Sequence, residues 1–134
     1  MSRTLINPAG LFDGEAFGMS QAVTDEATGL VFISGQVDWD ERHAVKSDDV
    51  PEQLRGALDN LDEILSASGC RRSDVLSLRV LIRGEFGEHI ADAAPILVER
   101  FGDVRPAMTG IGVASLASPD TLVEVEAVAR RPRG

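Results

Sequence analysis

The stretch from residue 50 to residue 65 carries the strongest structural signal in this sequence. Its apolar residues recur at spacings of three and four, which is typical of an amphipathic helix. Residues 47–49 (Ser-Asp-Asp) supply capping oxygens and negative charge before it, and Pro51 is tolerated in a first turn. Gly69 suits the left-handed position after the last turn. We therefore expect a helix here, with its apolar side packed on a sheet.

Strand patterns flank this helix on both sides. Residues 76–83 alternate between apolar and polar side chains, which is the period-two signature of a strand with one face on a core. Strands are predicted at residues 5–7, 19–24, 30–34, 76–82, 107–113 and 122–129, with turns at residues 25–29 and 118–120. The strand at residues 30–34 is an apolar run, so we expect both of its faces to be buried.

A second helix is predicted from Ile90 to Phe101, where apolar residues again recur at helical spacing and Gly102 closes the last turn. Pro95 lies inside this segment and has no amide hydrogen, so we expect a kink. The predicted order is β-β-β-α-β-α-β-β. Strands and helices mixed in this way predict a single α+β domain over residues 1–134, with two helices covering one face of the sheet. Identical copies around a threefold axis would cover the other face and place clefts at their seams.

Composition narrows the classes of partner. The 13 Lys and Arg residues are outnumbered by 22 Asp and Glu residues, so a net charge of -9 disfavours nucleic acid. The basic cluster of Arg130, Arg131 and Arg133 is interpreted as a solvated tail. The longest apolar runs are far below the roughly 20 residues that cross a bilayer, so we expect no membrane partner. A single cysteine, Cys70, and no secretory signal pattern favour a cytoplasmic protein.

Three short motifs appear in a fixed order along the chain. Ser34-Gly35-Gln36 follows an apolar strand, Arg105-Pro106-Ala107 precedes another, and residues 123–129 read Val-Glu-Val-Glu-Ala-Val-Ala. Together they resemble the signature of the RidA/YjgF family. The resemblance implies a chorismate-mutase-like homotrimer with a barrel-like centre formed by three sheets. It also implies clefts between subunits that hydrolyse reactive enamines or imines, which are small-molecule ligands.

The resemblance also implies roles for individual residues. Glu124 matches the glutamate that directs water in the family, and Glu126 follows on the same face of the strand. Alternating glutamates also occur on the solvated side of a strand, so that alternative remains open. Ser34 and Gly35 match residues that line the family's cleft with a hydroxyl group and a close backbone approach.

The cation of the family's site is missing. The family's strand begins Pro-Ala-Arg, whereas Met108 follows Pro106-Ala107 here, and loss of a bidentate contact weakens carboxylate binding by about 2 kcal/mol or more. Arg105 is three residues away, so we do not expect it to substitute. Met19 stands where the family often has tyrosine, and with Met108 it predicts a less polar cleft. Trp39 is a candidate for the mouth of the cleft.

Cofactor and metal motifs are weak. His43 and His89 have no partner at metal-ligand spacing, and Asp38 and Asp40 form only half of a carboxylate cluster. Residues 110–112 (Gly-Ile-Gly) fall in a predicted strand rather than before a helix, so no nucleotide site is indicated. The sequence therefore predicts neither a metal nor a cofactor.

Two functions remain open at this point. The first is a small-molecule hydrolase of altered specificity, favoured by Glu124. The second is a non-catalytic metabolite-binding trimer, favoured by the absence of the arginine. A ribonuclease is disfavoured because the chain is acidic, contains no tyrosine and shows no histidine-based pair of a catalytic acid and base.

Overall fold

The computed structural model describes residues 2–133. It contains a six-stranded mixed sheet in the order β1-β2-β3-β6-β4-β5 and two helices. The elements are β1 (Arg3–Ile6), β2 (Ala22–Asp25), β3 (Leu30–Gln36), α1 (Val50–Ala67), β4 (Val75–Arg83), α2 (Ile90–Phe101), β5 (Ala107–Val113) and β6 (Val123–Arg130). Neighbouring strands are antiparallel except for the parallel pair β4 and β5. The predicted element order and the α+β class are confirmed.

The ends of α1 follow the predicted capping chemistry. The Asp49 side chain accepts a hydrogen bond of 2.8 Å from the amide of Glu52, so it satisfies one of the free donors of the first turn. At the other end Gly69 adopts φ 77°, and the amide of Cys70 donates to the carbonyl of Leu65 at 2.8 Å. This left-handed closure is the reason for glycine after the helix.

The helices cover only one face of the sheet, which we call the helix face. Buried side chains of β6 on this face are Val123, Val125, Ala127 and Ala129, and they pack with the buried stripe of α1. The other side, which we call the open face, has no covering element within residues 2–133. The prediction that the strand at residues 30–34 is buried on both faces is wrong for the single chain, because Phe32 points to the open face and is 50% exposed.

Other differences from the predicted elements are small. The first strand begins at Arg3, and the second begins at Ala22 rather than at residue 19, because the amide of Gln21 binds the Asn7 side chain at 3.0 Å instead of a strand. Helix α2 runs without a break through Pro95, whose side chain is exposed. Within residues 2–133 no helix is long and apolar enough to cross a membrane.

Candidate active site

A bulge in β3 prepares the site. Ile33 pairs with Ala127 of β6 and Gln36 pairs with Val125, so both Ser34 and Gly35 occupy the space opposite a single residue. A methyl group added to Gly35 would overlap the carboxyl group of Glu124. Glycine at this position therefore leaves room for that carboxyl group beside the backbone.

Buried amides hold the bulge to the neighbouring loop. The Gln36 side chain donates to the side-chain oxygen of Gln21 at 2.8 Å and to the carbonyl of Ser34 at 3.1 Å. The Gln21 side chain in turn donates to the carbonyl of Phe12 at 2.9 Å. Both glutamines are buried, so these contacts satisfy groups that would otherwise be costly in the core. The network fixes the position of Phe12 relative to Gly35.

A cleft of about 420 Å³ lies over the bulge on the open face. Its apolar lining consists of Phe12, Phe17, Met19, Val37, Trp39 and Ala117. Gly35 and Glu124 complete the lining, so the only ionisable side chain among these residues is a carboxylic acid. Two other depressions, of about 540 and 550 Å³, contain no half-buried carboxyl group with a displaced pKa, so we select the smaller cleft as the candidate site.

Aromatic side chains form one wall of the cleft. The ring centroids of Phe12 and Trp39 are 5.4 Å apart, and the His43 ring stacks on Trp39 at 5.6 Å with an interplanar angle of 30°. The indole nitrogen of Trp39 donates to the Thr121 hydroxyl at 2.9 Å, which fixes the orientation of the ring. The wall is therefore held by packing and by a hydrogen bond.

The segment that carries Trp39 and His43 is a short hairpin. An isolated bridge joins Trp39 to Val45, and the Asp40 carboxylate accepts hydrogen bonds from the amides of Arg42 and Ala44 at 2.8 and 3.1 Å. These hydrogen bonds keep the pKa of Asp40 below its usual value. His43 adopts φ 66°, a conformation that few non-glycine residues adopt. The hairpin thus places the His43 ring against the aromatic wall.

Glu124 has an unusual environment for a carboxylate. It is half-buried, and burial raises its pKa above the usual 4.5, with a further increase from the negative charge of Glu126. The ion pairs formed within residues 2–133 leave the Glu124 carboxylate without a cation. Glu126, by contrast, pairs with Arg79 at 2.9 Å. The cleft therefore contains one unpaired carboxyl group whose pKa lies nearer to neutrality than that of an exposed glutamate.

The comparisons with known proteins identify the family. The family model described as Endoribonuclease L-PSP matches residues 15–131. The chain belongs to this family. A RutC family protein of Pyrococcus horikoshii is 32% identical over 111 residues, which cover 82% of this chain and 84% of that protein. The 2-iminobutanoate/2-iminopropanoate deaminase of Salmonella typhimurium is 29% identical over 104 residues, covering 76% of this chain and 80% of that protein.

Solved structures of the L-PSP family share this fold. The crystal structure of Rv2704 from Mycobacterium tuberculosis, described as a member of the YjgF/YER057c/UK114 family, matches with a TM-score of 0.81 at 28% identity. The match covers 96% of this chain and 99% of Rv2704. The resemblance to the RidA/YjgF family that the short motifs indicated is therefore confirmed over nearly the whole chain.

Four of the residues predicted for this L-PSP family site lie together. Glu124, Gly35, Met19 and Trp39 all line the cleft, and Phe17 lies beside them. Ser34 is not among the lining residues, because its hydroxyl donates to the carbonyl of Ser20 at 2.6 Å and holds the neighbouring loop. Glu126 shares the open face with Glu124, as the period-two pattern predicts, but it lies in a separate depression beside Arg79.

Met108 lies apart from Glu124 within one chain. Its register partner is Leu78, which is buried on the helix face, whereas Glu124 is paired with Leu81 on the open face. Strand β5 is also separated from β6 by β4, a distance of about 10 Å between the two strands. The predicted proximity of Met108 to Glu124 is therefore not found in a single chain. It stays a prediction about a neighbouring copy.

Sequence reasoning missed four contributors to the site. Phe12, Val37 and Ala117 line the cleft, and His43 packs on its aromatic wall. One signal was available. The sequence contains only five Phe and one Trp, and four of these six aromatic residues lie in loops outside the predicted helices and strands. Aromatic side chains so placed in an aromatic-poor chain indicate a binding surface.

Proposed function

We propose that this protein hydrolyses small imines or enamines to carbonyl compounds in the cleft that contains Glu124. The observation that carries the proposal is the half-buried, unpaired carboxyl group of Glu124 at the position that the family resemblance assigns to the water-directing residue. The deaminase name of the Salmonella relative supports the reaction class.

The proposed chemistry requires a base and an electrophile. The ionised Glu124 accepts a proton from a water molecule as the water oxygen attacks the imine carbon. Glu124 then returns this proton to nitrogen, and the hydroxyl group of the addition product passes its own proton through Glu124 to nitrogen as the carbon–nitrogen bond breaks. One imine and one water molecule thus give one carbonyl compound and one ammonia molecule. Burial raises the pKa of Glu124. This favours its role as a base, because a catalytic base is most effective when its pKa lies near the pH of the reaction.

The proposed specificity differs from that of 2-imino acid deaminases. None of the described lining residues of the cleft is Lys or Arg, and Met108 replaces the arginine that the family resemblance assigns to carboxylate binding. Met108 is 44% exposed on the edge strand β5, where a neighbouring chain would meet it. Substrates that carry a carboxylate are therefore expected to bind weakly.

We also propose a homotrimer. Its motivation is the open face, which presents a row of six side chains, one from each strand, of which all but Ser77 are apolar. The row runs through Leu5, Val23, Phe32, Val128, Ser77 and Ala107. Leu5 and Phe32 are 55% and 50% exposed in one chain, and burial of such a row by identical copies would remove it from water. Sedimentation at micromolar concentration should give about 43 kDa from chains of 14.3 kDa.

Two substitutions test the reaction. Glu124→Gln keeps the shape of the side chain but removes the base, and it should lower imine hydrolysis by about 100-fold or more. Met108→Arg should raise the rate on 2-iminopropanoate by about tenfold, which corresponds to about 1.4 kcal/mol of regained transition-state binding. Unchanged hydrolysis in a folded Glu124→Gln variant would contradict the role of Glu124.

The alternative function is a trimer that binds a metabolite without catalysis. Ligand binding that survives Glu124→Gln, together with no hydrolysis by the unaltered protein, would favour this alternative.

We do not propose that this chain cleaves RNA, although its family is described as Endoribonuclease L-PSP, because a net charge of -9 opposes RNA binding.

We propose the cytoplasm as the location of the protein. Cys70 is the single cysteine and is buried, which suits a reducing compartment.

A further inference from the structure

The cleft combines an unpaired negative group with aromatic walls. Glu124 has no cation beside it, since Arg79 is engaged by Glu126 at 2.9 Å and Lys46 lies 3.5 Å from the Asp38 carboxylate. A carboxylate taken partly out of water without a partner is unfavourable. A ligand that supplies the missing positive charge would offset this unfavourable burial.

Aromatic side chains line the same cleft as this carboxyl group. Phe12 meets His43 edge to face at a centroid distance of 4.9 Å, and Trp39 lies 5.4 Å from Phe12. Both Phe12 and Trp39 line the cleft, and Phe17 adds a ring that is 68% exposed at its mouth. The faces of aromatic rings carry partial negative charge and attract organic cations.

From these two observations we infer that the cleft recognises its substrate as an organic cation that has no carboxylate, namely an aryl-substituted iminium ion. The inference rests on the proposed function and names its substrate class. The iminium group faces Glu124 and contacts the rings of Phe12 and Trp39, and the aryl group packs on the same rings. A 2-imino acid fits less well, because its carboxylate would meet Glu124 with no arginine or lysine among the described lining residues.

The proposed reaction consumes one water molecule for each iminium ion. An iminium ion R–CH=NH2+ and one water molecule give the aldehyde R–CHO and one ammonium ion. The new bond joins the water oxygen to the iminium carbon, and the bond that breaks joins that carbon to nitrogen. The substrate must come from two-electron oxidation of a primary amine by an amine oxidase or amine dehydrogenase, whose own acceptor takes the electrons. The protein therefore belongs after an amine oxidation rather than after an amino-acid dehydration.

Binding of three compounds that differ mainly in charge tests the inference. Benzylammonium, benzyl alcohol and benzoate share an aromatic ring, and calorimetry on the full-length protein compares their affinities. We expect benzylammonium to bind about tenfold more tightly than benzyl alcohol, from its ion pair with Glu124 and its contact with the rings, and benzoate to bind weakest. Equal binding of benzylammonium and benzyl alcohol, or tighter binding of benzoate, would overturn the inference.

Variants assign the effect to individual side chains. Glu124→Gln should reduce the affinity for benzylammonium by about tenfold and leave that for benzyl alcohol unchanged. Glu88→Gln is the matched control, because it removes the same charge from an exposed residue far from the open face. Glu88 lies in the 3-10 turn Phe86–Glu88, and the Phe86 ring of this turn packs against Gly110 on the helix face. An equal loss of benzylammonium affinity in both variants would mean that the overall charge alone attracts the cation, and it would contradict binding at Glu124.

The aromatic wall has its own control. Trp39→Leu should reduce benzylammonium binding by several-fold, because it removes the ring that the cation contacts. Trp39→Phe also loses the hydrogen bond from the indole nitrogen to Thr121 but keeps an aromatic face, so it should retain more of the affinity than Trp39→Leu. If Trp39→Phe and Trp39→Leu lose equal affinity, the loss comes from loop position, and cation recognition by the ring is contradicted.

An activity assay separates this inference from the proposed function. The aryl imine is generated in solution from benzylamine with an amine oxidase, and 2-iminopropanoate is generated with an amino-acid oxidase. We expect greater acceleration of hydrolysis for the aryl imine. Selective benzylammonium binding without hydrolysis of either imine would contradict the proposed function and retain cation recognition. Faster hydrolysis of 2-iminopropanoate would support the proposed function and overturn the inference.

Discussion

The two faces of β6 differ in burial and in charge. On the helix face Val123, Val125 and Ala129 are fully buried within the core. On the open face Glu124 and Glu126 are half-buried and ionisable, and the first of them has a raised pKa. Because neighbouring residues of a strand point in opposite directions, one segment carries both the core and the candidate site. Substitutions on the two faces should therefore have separable effects on stability and on activity.

The largest expected effect is on the helix side. Leu61 of α1 is 1% exposed in the core, so Leu61→Ala leaves a cavity as well as removing apolar contacts. We expect the free energy of unfolding to fall by about 2–5 kcal/mol, measured by urea denaturation. The core cluster that contains Leu61 includes none of the described lining residues of the cleft, so catalysis per folded molecule should persist.

Phe32→Ala is the matched substitution on the open face. The ring is 50% exposed in one chain, so its loss should lower the stability of an isolated chain by about 1 kcal/mol or less. If copies cover this face, the same change should instead lower stability in a concentration-dependent way and reduce the sedimenting mass. Equal, concentration-independent losses for Leu61→Ala and Phe32→Ala would contradict the distinction between the two faces.

Most of the fold was predictable because its signals are local. Apolar periodicity located α1 and β4, and the oxygens of Asp49 and the left-handed Gly69 marked the ends of α1 as expected. The alternation of residues 123–129 also placed Glu124 and Glu126 on one face. Periodicity alone could not show what covers the open face, since no helix or strand within residues 2–133 does so.

The site was predictable only in part because its geometry depends on long-range contacts. The bulge at residues 34–35 turns the Ser34 hydroxyl to the carbonyl of Ser20, which no local pattern reveals. The pairing of Glu126 with Arg79 depends on strand order. The carbonyl of Phe12 accepts a hydrogen bond from the Gln21 side chain, which holds Phe12 at the cleft. Each of these contacts joins separate segments of the chain, whereas the hairpin of residues 39–45 places His43 against the aromatic wall locally.

An intermediate effect is expected at the bulge. Gly35→Ala adds a methyl group that overlaps the Glu124 carboxyl group, which lies at the flexible end of its side chain. The carboxyl group must therefore move, and we expect hydrolysis to fall by about 100-fold with little change in the free energy of unfolding. The measurement is turnover beside urea denaturation.

Gly87→Ala is the control for this change. A methyl group at Gly87 meets no atom within 4 Å, so neither stability nor turnover should change appreciably. A Gly35→Ala variant that unfolds would show instead that the backbone at the bulge cannot accommodate a side chain. Full activity in that variant would show that the exact position of Glu124 is unimportant.

The smallest expected effect concerns stability and pH. The pKa of Glu124 is raised in the folded chain by burial, so its ionisation opposes folding. The favourable contribution is present below the unfolded-state pKa near 4.5 and is lost as the pH rises through the folded-state pKa. Glu124→Gln cannot ionise, so its melting temperature should exceed that of the unaltered protein at pH values above the folded-state pKa of Glu124.

The pH range of the measurement decides the interpretation. Between pH 5 and pH 8, above the isoelectric point near 4.6, the advantage of Glu124→Gln should grow as the pH increases. Glu126→Gln provides a second test, because Glu126 is the smaller cause of the raised pKa and also pairs with Arg79. That variant should reduce the pH dependence without removing it. A constant difference in melting temperature across this range would mean that Glu124 does not titrate there. The proposal that Glu124 is the catalytic base would then lose the support of a raised pKa.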